Sequence, residues 1–288
     1  MPEKLNMIAI NKEFKYVPQK LVYHSKENRT SFYKAVETKT GRIVGIKTVS
    51  VQSPKMLKDF ESEINILIGL EGNAKNIPTV YFYDIKGNDI TIVMQYIEGD
   101  TLAQTIEKEK KYCKNANITT KNLYRLYSLA NVLGDIHKNK RGNNYIQHKD
   151  LKPQNIIIKR NFSREDVYVI DFGLSAPMAI RGTGTPLYQS PEQSMLFSGI
   201  SDASRIDVFS FGLIMYELLC GKNLILGQDL VWDKTTNNWK SIPALDNPNL
   251  SSLADQILKK CLAFNPKERF NNGGEIACQI KKLLPKRQ

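Results

Sequence analysis

HKDLKPQN, residues 148 to 155, is the stretch that decides how this chain reads. Two strand-like pieces follow it, NIIIK (155–159) and DVYVI (166–170), and then DFG at 171–173. An aspartate at 150 can accept a hydrogen bond from an incoming hydroxyl. Lys152, two residues on, can point the same way. Asn155 and Asp171 are hard oxygen donors of the kind Mg²⁺ prefers. Phosphoryl transfer needs little covalent help from a protein. It needs positioning, charge neutralisation and a group that orients the attacking hydroxyl. All of these lie within 24 residues, from 148 to 171.

Upstream the chain is β-rich. KLVYHS (20–25), TSFYKAV (30–36) and RIVGIKTVSV (42–51) are runs of β-branched and aromatic residues, with a turn at KTG (39–41). SPKMLKDFESEINILIGL (53–70) predicts a helix: Ser53 can cap it and Pro54 suits its first position. Leu57, Phe60, Ile64 and Leu67 then form one apolar stripe. TVYFYDI and DITIVMQYI read as two further strands joined through KGND. After EGD (98–100) the character turns helical, so a hinge is expected near 95–100, with a ligand cleft beside it. TTKNLYRLYSLANVLGDIHKN predicts an amphipathic helix capped by Thr119 or Thr120, with Leu123, Leu126, Ala130, Leu133 and His137 on one face. RIDVFSFGLIMYELLCGK is apolar all round and predicts a buried helix ended by Gly221. A last helical pair is expected in SSLADQILKKCLAF and NGGEIACQIKKLL.

The bulk numbers bound the function classes. The 288 residues suffice for one large domain with a sizeable core. No apolar run approaches the roughly 18–20 residues of a membrane span. The N-terminus has no long apolar core of the signal-peptide type. Cys113, Cys220, Cys261 and Cys278 are far apart and form no CxxC pair. They suggest thiols in a reducing compartment, hence a cytoplasmic protein, and neither a zinc site nor a disulfide frame. Lys plus Arg exceeds Asp plus Glu by 41 to 29, a net charge of +12. The lysines are dispersed and not interleaved with aromatic residues, so nucleic acid is not an expected partner.

HKDLKPQN resembles the H-R-D-x-K-P-x-N loop of the eukaryotic-type Ser/Thr protein kinase family, and the resemblance runs from about residue 16 to about 283. It implies an α+β, bilobal, kinase-like fold in one domain over 1–288: a small β-rich N-lobe (1–97) with one key helix, and a larger, mainly helical C-lobe (98–288). It implies transfer of the γ-phosphoryl group of ATP to Ser/Thr hydroxyls of a protein substrate, with Mg²⁺, or Mn²⁺, as the metal. In that scheme Asp150, Lys152, Asn155 and Thr185 are catalytic, and Asn155 and Asp171 hold the metal. V-G-I-K resembles the family's V-A-I-K and nominates Lys47 for the α/β-phosphates. Its ion-pair partner is Glu63, with Glu61 as the alternative. In MQYI, Met94 backs the adenine pocket, and backbone groups of Gln95 and Ile97 meet the adenine edge. Ser25, Thr30, Phe32 and Ile157 complete the nucleotide set. GTPLYQSPE resembles G-T-x-x-Y-x-A-P-E, the pattern that distinguishes Ser/Thr kinases from tyrosine and small-molecule kinases; this assigns Thr185 to shaping the substrate site. Asp207 resembles the aspartate that braces the catalytic loop. Glu192 and Arg269 are expected to form a buried pair.

Two departures from the pattern carry information. Lys149 stands where many relatives have arginine; it offers a point charge in place of a planar fork for a phosphorylated loop. With few acceptors in the segment (Ser175, Thr183, Thr185 and Tyr188), strict gating by phosphorylation is not expected. The second departure is HSKENRTSF (24–32). Counting back from Lys47, Ser25, Glu27 and Thr30 occupy the three glycine positions of the family's phosphate loop, and Phe32 that of the following valine. Glycines there allow positive φ and close approach of backbone N–H groups to phosphate. Asn28 is a candidate for the left-handed conformation, and Glu27 puts an acid near anionic phosphates. A second reading therefore stands beside the first: a pseudokinase acting as a nucleotide-binding or scaffold module.

Overall fold

The computed structural model describes residues 8–9, 15–25, 29–141, 144–162, 164–173, 183–194, 204–233, 235–236 and 238–285. Two compact units emerge, one running to Glu71 and taking in Pro78–Glu98, the other comprising Gly72–Ile77 and everything from Gly99 on. The architecture is the bilobal α+β fold that the resemblance implies.

The first unit is an antiparallel sheet with one helix. Its strands are β1 (Ile8–Ala9), β2 (Lys15–Ser25), β3 (Thr30–Glu37), β4 (Ile43–Ser50), β5 (Val80–Lys86) and β6 (Asp89–Gln95), ordered β1-β2-β3-β4-β6-β5. Strand alternation gives the sheet two faces. One buries Tyr16, Ala35, Val44, Ile46 and Val93. The other buries Val49, Ile90, Ile92 and Met94 against Ile64 of helix α1 (Pro54–Leu70). Ser53 caps α1 by accepting from the Met56 N–H at 3.2 Å. Ile64 and Leu67 of the predicted stripe are buried, and Leu57 and Phe60 are partly so.

The second unit opens with β7 (Asp100–Thr101) and helix α2 (Leu102–Glu109), which the sequence reading did not separate from its surroundings. A capping box starts α2: the Gln104 N–H donates to Thr101 Oγ1 and the Thr101 N–H donates to Gln104 Oε1. Helix α3 (Ala116–His137) begins earlier than expected, and its cap is Asn115, which accepts from the Asn117 N–H at 2.9 Å. Thr119 lies inside the helix, buried, its hydroxyl donating to the Cys113 carbonyl. The polar run ANITT has no apolar period, so the sequence pattern started the helix too late. Leu123, Leu126, Ala130, Leu133 and His137 are all buried. A hairpin of β8 (Lys140–Arg141) and β9 (Asn144–Tyr145) precedes β10 (Ile156–Arg160) and β11 (Glu165–Val169), which pair antiparallel, with β7 on the other side of β10. Helix α4 (Ile206–Cys220) is buried nearly throughout and ends at Gly221, whose φ of 72° is the left-handed cap a glycine accepts without strain. The hairpin β12 (Trp232–Asp233) and β13 (Asn238–Trp239) and helices α5 (Ser252–Cys261) and α6 (Gly273–Ile280) complete the unit. No helix among the described residues is long and apolar enough to cross a membrane.

Candidate active site

In the first unit, strand alternation puts Phe32, Gly45, Lys47 and Met94 on one face of the sheet, with Phe32 opposite Lys47 and Gly45 opposite Met94 in the ladders. Lys47 Nζ donates to Glu63 Oε1 at 2.8 Å and to Oε2 at 3.1 Å. Helical phase decides between the two candidate acids. Glu63 faces the sheet and is 2% exposed, whereas Glu61 is exposed. The Lys47 ammonium also sits 5.3 Å from the Phe60 ring centroid. Met94 and Ile97 are buried. The Gln95 N–H already donates to the Thr79 carbonyl at 2.8 Å. Of the backbone groups expected at an adenine edge, that donor is therefore committed within the unit. Ser25 and Thr30 face one another as the last pair of the β2–β3 ladder, and Thr30 is buried. Glu27 and Asn28 lie outside the described residues; the left-handed residue of this hairpin that is described is Arg29, at φ 44°.

The second unit gathers the residues of HKDLKPQN around Asp150. Its Oδ1 accepts from the Thr185 N–H at 2.9 Å and the Thr185 hydroxyl at 2.8 Å. Its Oδ2 accepts from Lys152 Nζ at 2.7 Å, and Lys152 also reaches Thr185 Oγ1 at 2.8 Å. Asn155 closes a 3₁₀ turn that begins at Pro153, and its amide nitrogen donates to the Asp150 carbonyl at 2.9 Å. This bond settles the amide's orientation: its nitrogen is tied to Asp150, which leaves the carbonyl oxygen as the donor atom for a cation. Asp171 is exposed, with φ 65°, a left-handed conformation that costs a non-glycine residue energy. An Asp carboxylate with one amide oxygen is a set that suits Mg²⁺, which keeps several waters and takes the rest of its shell from phosphates. Ile157 lies on β10, opposite Tyr168 and Thr101.

The loop is braced from beneath. Asp207, on α4 and fully buried, accepts from the Lys149 N–H at 2.8 Å on one oxygen and from the His148 N–H at 2.6 Å on the other, which also meets His137 Nε2 at 2.9 Å. Burial alone would push its carboxyl up, but the His137 hydrogen bond and the histidines around it hold it below the usual carboxylate range. Lys149 carries φ 66°, so the brace fixes a strained backbone. Burial pushes the Lys149 ammonium down, and the Asp207 charge opposes that shift. The His148 ring meets the Ile170 carbonyl through Nε2 at 2.9 Å and accepts the Asp150 N–H on Nδ1 at 3.3 Å, so the proton belongs on Nε2. Phe172, fully buried, packs on that ring with centroids 4.9 Å apart.

Glu192 and Arg269 form the expected buried pair, bidentate at 2.7 and 2.9 Å. Arg269 gives its remaining donors to the Ala263, Arg205 and Phe264 carbonyls, so all five N–H groups are satisfied. Two glutamines escaped the sequence reading. Gln193 donates to the Lys149 carbonyl at 2.7 Å, and Gln189 donates to the Thr183 carbonyl at 2.7 Å. Gln193 ties the segment around Thr185 to the loop and Gln189 folds that segment on itself, both through backbone carbonyls, which leaves no charge or spacing signature to find. Ser175 lies outside the described residues.

A family model for the protein kinase domain matches residues 28–282. A probable serine/threonine-protein kinase of Clostridium acetobutylicum is 27% identical over 270 residues, covering 87% of this chain and 37% of that relative. Another from Streptomyces coelicolor is 26% identical over 272 residues, covering 88% and 37%. An Aurora kinase of Schizosaccharomyces pombe is 29% identical over 250 residues, covering 83% and 64%. The chain thus spans between about a third and two thirds of the length of these relatives. With the match running through the sheet that carries Lys47, through HKDLKPQN and on past Arg269, the chain belongs to the protein kinase domain family.

Proposed function

We propose that this chain is an ATP-dependent Ser/Thr protein kinase that transfers the γ-phosphoryl group of Mg-ATP to protein hydroxyls. The observation that supports it most is the network in which Asp150, Lys152, Asn155 and Thr185 share hydrogen bonds. Asp150 orients the substrate hydroxyl and takes its proton. Lys152, held beside it, neutralises charge that develops on the transferred group. Thr185 fixes the rotamer of Asp150 and borders the acceptor site. Lys47, steadied by Glu63, orients the α/β-phosphates; Met94, the Gln95 carbonyl, Ile97 and Phe32 take the base. Asn155 and Asp171 would hold Mg²⁺, or Mn²⁺, which supplies charge neutralisation at the phosphates when bound. Four cysteines that form no disulfide support a reducing, cytoplasmic setting.

One observation favours the pseudokinase reading: Thr30, at the third glycine position, is buried in a ladder pair with Ser25, so a packed side chain stands where the pattern has none. Against it stands the complete set of charged groups. Purified chain with Mg-ATP and a mixed panel of Ser/Thr peptides separates the two. Turnover supports the first reading; nucleotide-induced thermal stabilisation without turnover supports the second.

A further inference from the structure

The peptide that joins Lys149 to Asp150 is held at both of its polar atoms. Its carbonyl accepts from Gln193 Nε2 at 2.7 Å, and its N–H donates to His148 Nδ1 at 3.3 Å. The peptide before it is held too, by the bond from the Lys149 N–H to Asp207 at 2.8 Å. Between these holds Lys149 keeps φ 66°, a conformation that a non-glycine residue retains only where its surroundings impose it. Asp207 supplies one hold from α4, and Gln193 supplies another from the segment after Thr185.

Gln193 is 1% exposed and uses its amide at both ends. Oε1 accepts from the Ser190 N–H at 3.2 Å and from the Ser190 hydroxyl at 3.3 Å, so Nε2 is the end that faces the Lys149 carbonyl. Gly184 makes the room. Its φ is 81°, and a Cβ there would stand 3.0 Å from Gln193 Nε2 and 3.1 Å from the Lys149 oxygen. Gln189 fastens the same turn, donating to the Thr183 carbonyl at 2.7 Å and to the Gly184 carbonyl at 3.2 Å. Thr185, the next residue, makes two bonds to Asp150 Oδ1. Asp150 is thus gripped through its backbone by one glutamine, and through its carboxylate by a threonine that the other glutamine supports.

We propose that Gln193 is a positioning residue for Asp150. Its amide sets the plane of the Lys149–Asp150 peptide, and with it the direction in which the Asp150 carboxylate meets the substrate hydroxyl, so that the acceptor segment is latched by amides and needs no phosphate. This rests on the kinase reading above and adds which residue holds that site ready. Gln193 acts on neither the nucleotide nor the acceptor, so its effect passes through Asp150.

Peptide phosphorylation by the full chain, read as single-turnover incorporation of label from γ-labelled Mg-ATP, tests it. Gln193→Leu keeps the bulk without the amide. It should slow transfer about tenfold, less than the roughly 100-fold of a catalytic group misplaced by 1 Å, and leave the Kd of Mg-ATP unchanged. The Asp150→Asn/Gln193→Leu double variant should be no slower than Asp150→Asn alone, because nothing is left to position; a general loosening of the fold would multiply the two losses. Should Gln193→Leu not fold, the wild-type chain still decides: phosphatase-treated protein, its dephosphorylation checked by mass spectrometry, should transfer at the untreated rate. A wild-type rate in Gln193→Leu, a double variant slowed by the product of the two single losses, or transfer lost on phosphatase treatment overturns the inference while leaving the kinase reading intact. A folded wild-type chain that binds Mg-ATP and never transfers its phosphoryl group overturns that reading itself.

Discussion

At the scale of single residues, the site is built from charged groups whose partners are committed. Glu63 is buried and pairs with Lys47, so removing the lysine takes away the positive charge that faces a buried carboxylate. Breaking one side of such a pair costs about 3 kcal/mol or more. Lys47→Met should therefore lower thermal stability by that order as well as slow turnover; differential scanning calorimetry beside an ATPase assay reads both. Asp207 offers a pH test. Its folded carboxyl lies below its unfolded value, so the stability it contributes is present above the unfolded value of about 4 and is lost as pH falls through the lower, folded one. Asp207→Asn should be the less stable form at neutral pH, and the gap to wild type should close on acidification below about pH 4. A gap that does not narrow would mean that the carboxylate's charge is not what braces the loop. Asp150, Lys152 and Asn155 were legible as a cluster because hydroxyl and phosphate chemistry restricts residue type at such spacings, and Lys47, Glu63 and Thr185 only through the resemblance; the structure joins Lys47 to Glu63, and Lys152, Asn155 and Thr185 to Asp150. Gln189 and Gln193 were not legible, since an amide that bonds backbone carbonyls leaves no such restriction.

At the scale of elements, legibility followed periodicity. The strands around Lys47 and helices α1 and α4 have strong apolar patterns and were readable to within a few residues. Helix α2 was missed although T-x-x-Q spelled a capping box at 101–104, because eight residues give barely two turns of pattern. What holds the long-range joints is polar and specific. The Glu192–Arg269 pair ties the segment after Thr185 to the stretch between α5 and α6, with both side chains essentially unexposed. Arg269→Lys keeps the charge but loses the fork and most of the carbonyl contacts. It should destabilise by about 3 kcal/mol, close to Arg269→Ala, and chemical denaturation would show it; a lysine that restored full stability would argue for charge alone. The hairpin between β2 and β3 belongs at this scale too. Thr30→Gly should cost about 0.5–1 kcal/mol of stability through backbone entropy, whatever it does to nucleotide affinity.

At the scale of the molecule, the two units contribute different halves of the proposed chemistry. The sheet unit carries Lys47 with Glu63; the helical unit carries Asp150 and its supports. In the helical unit Lys152 and Thr185 bond to Asp150 through their own side chains, and glutamine amides hold the segment. Thr183→Ala should accordingly keep turnover within about twofold of wild type in a peptide phosphorylation assay, and its abolition would restore a requirement for phosphorylation. The central claim is that Asp150 carries transfer to a hydroxyl. The most direct measurement is incorporation of label from γ-labelled Mg-ATP into Ser/Thr peptides by wild type and Asp150→Asn, with nucleotide binding checked in both. The account predicts labelling by wild type and a loss of at least about 100-fold in Asp150→Asn with binding retained, the scale at which a positioned acid–base group contributes. Labelling that persists at the wild-type rate in Asp150→Asn, or a wild-type chain that binds Mg-ATP and never transfers it, would contradict the account.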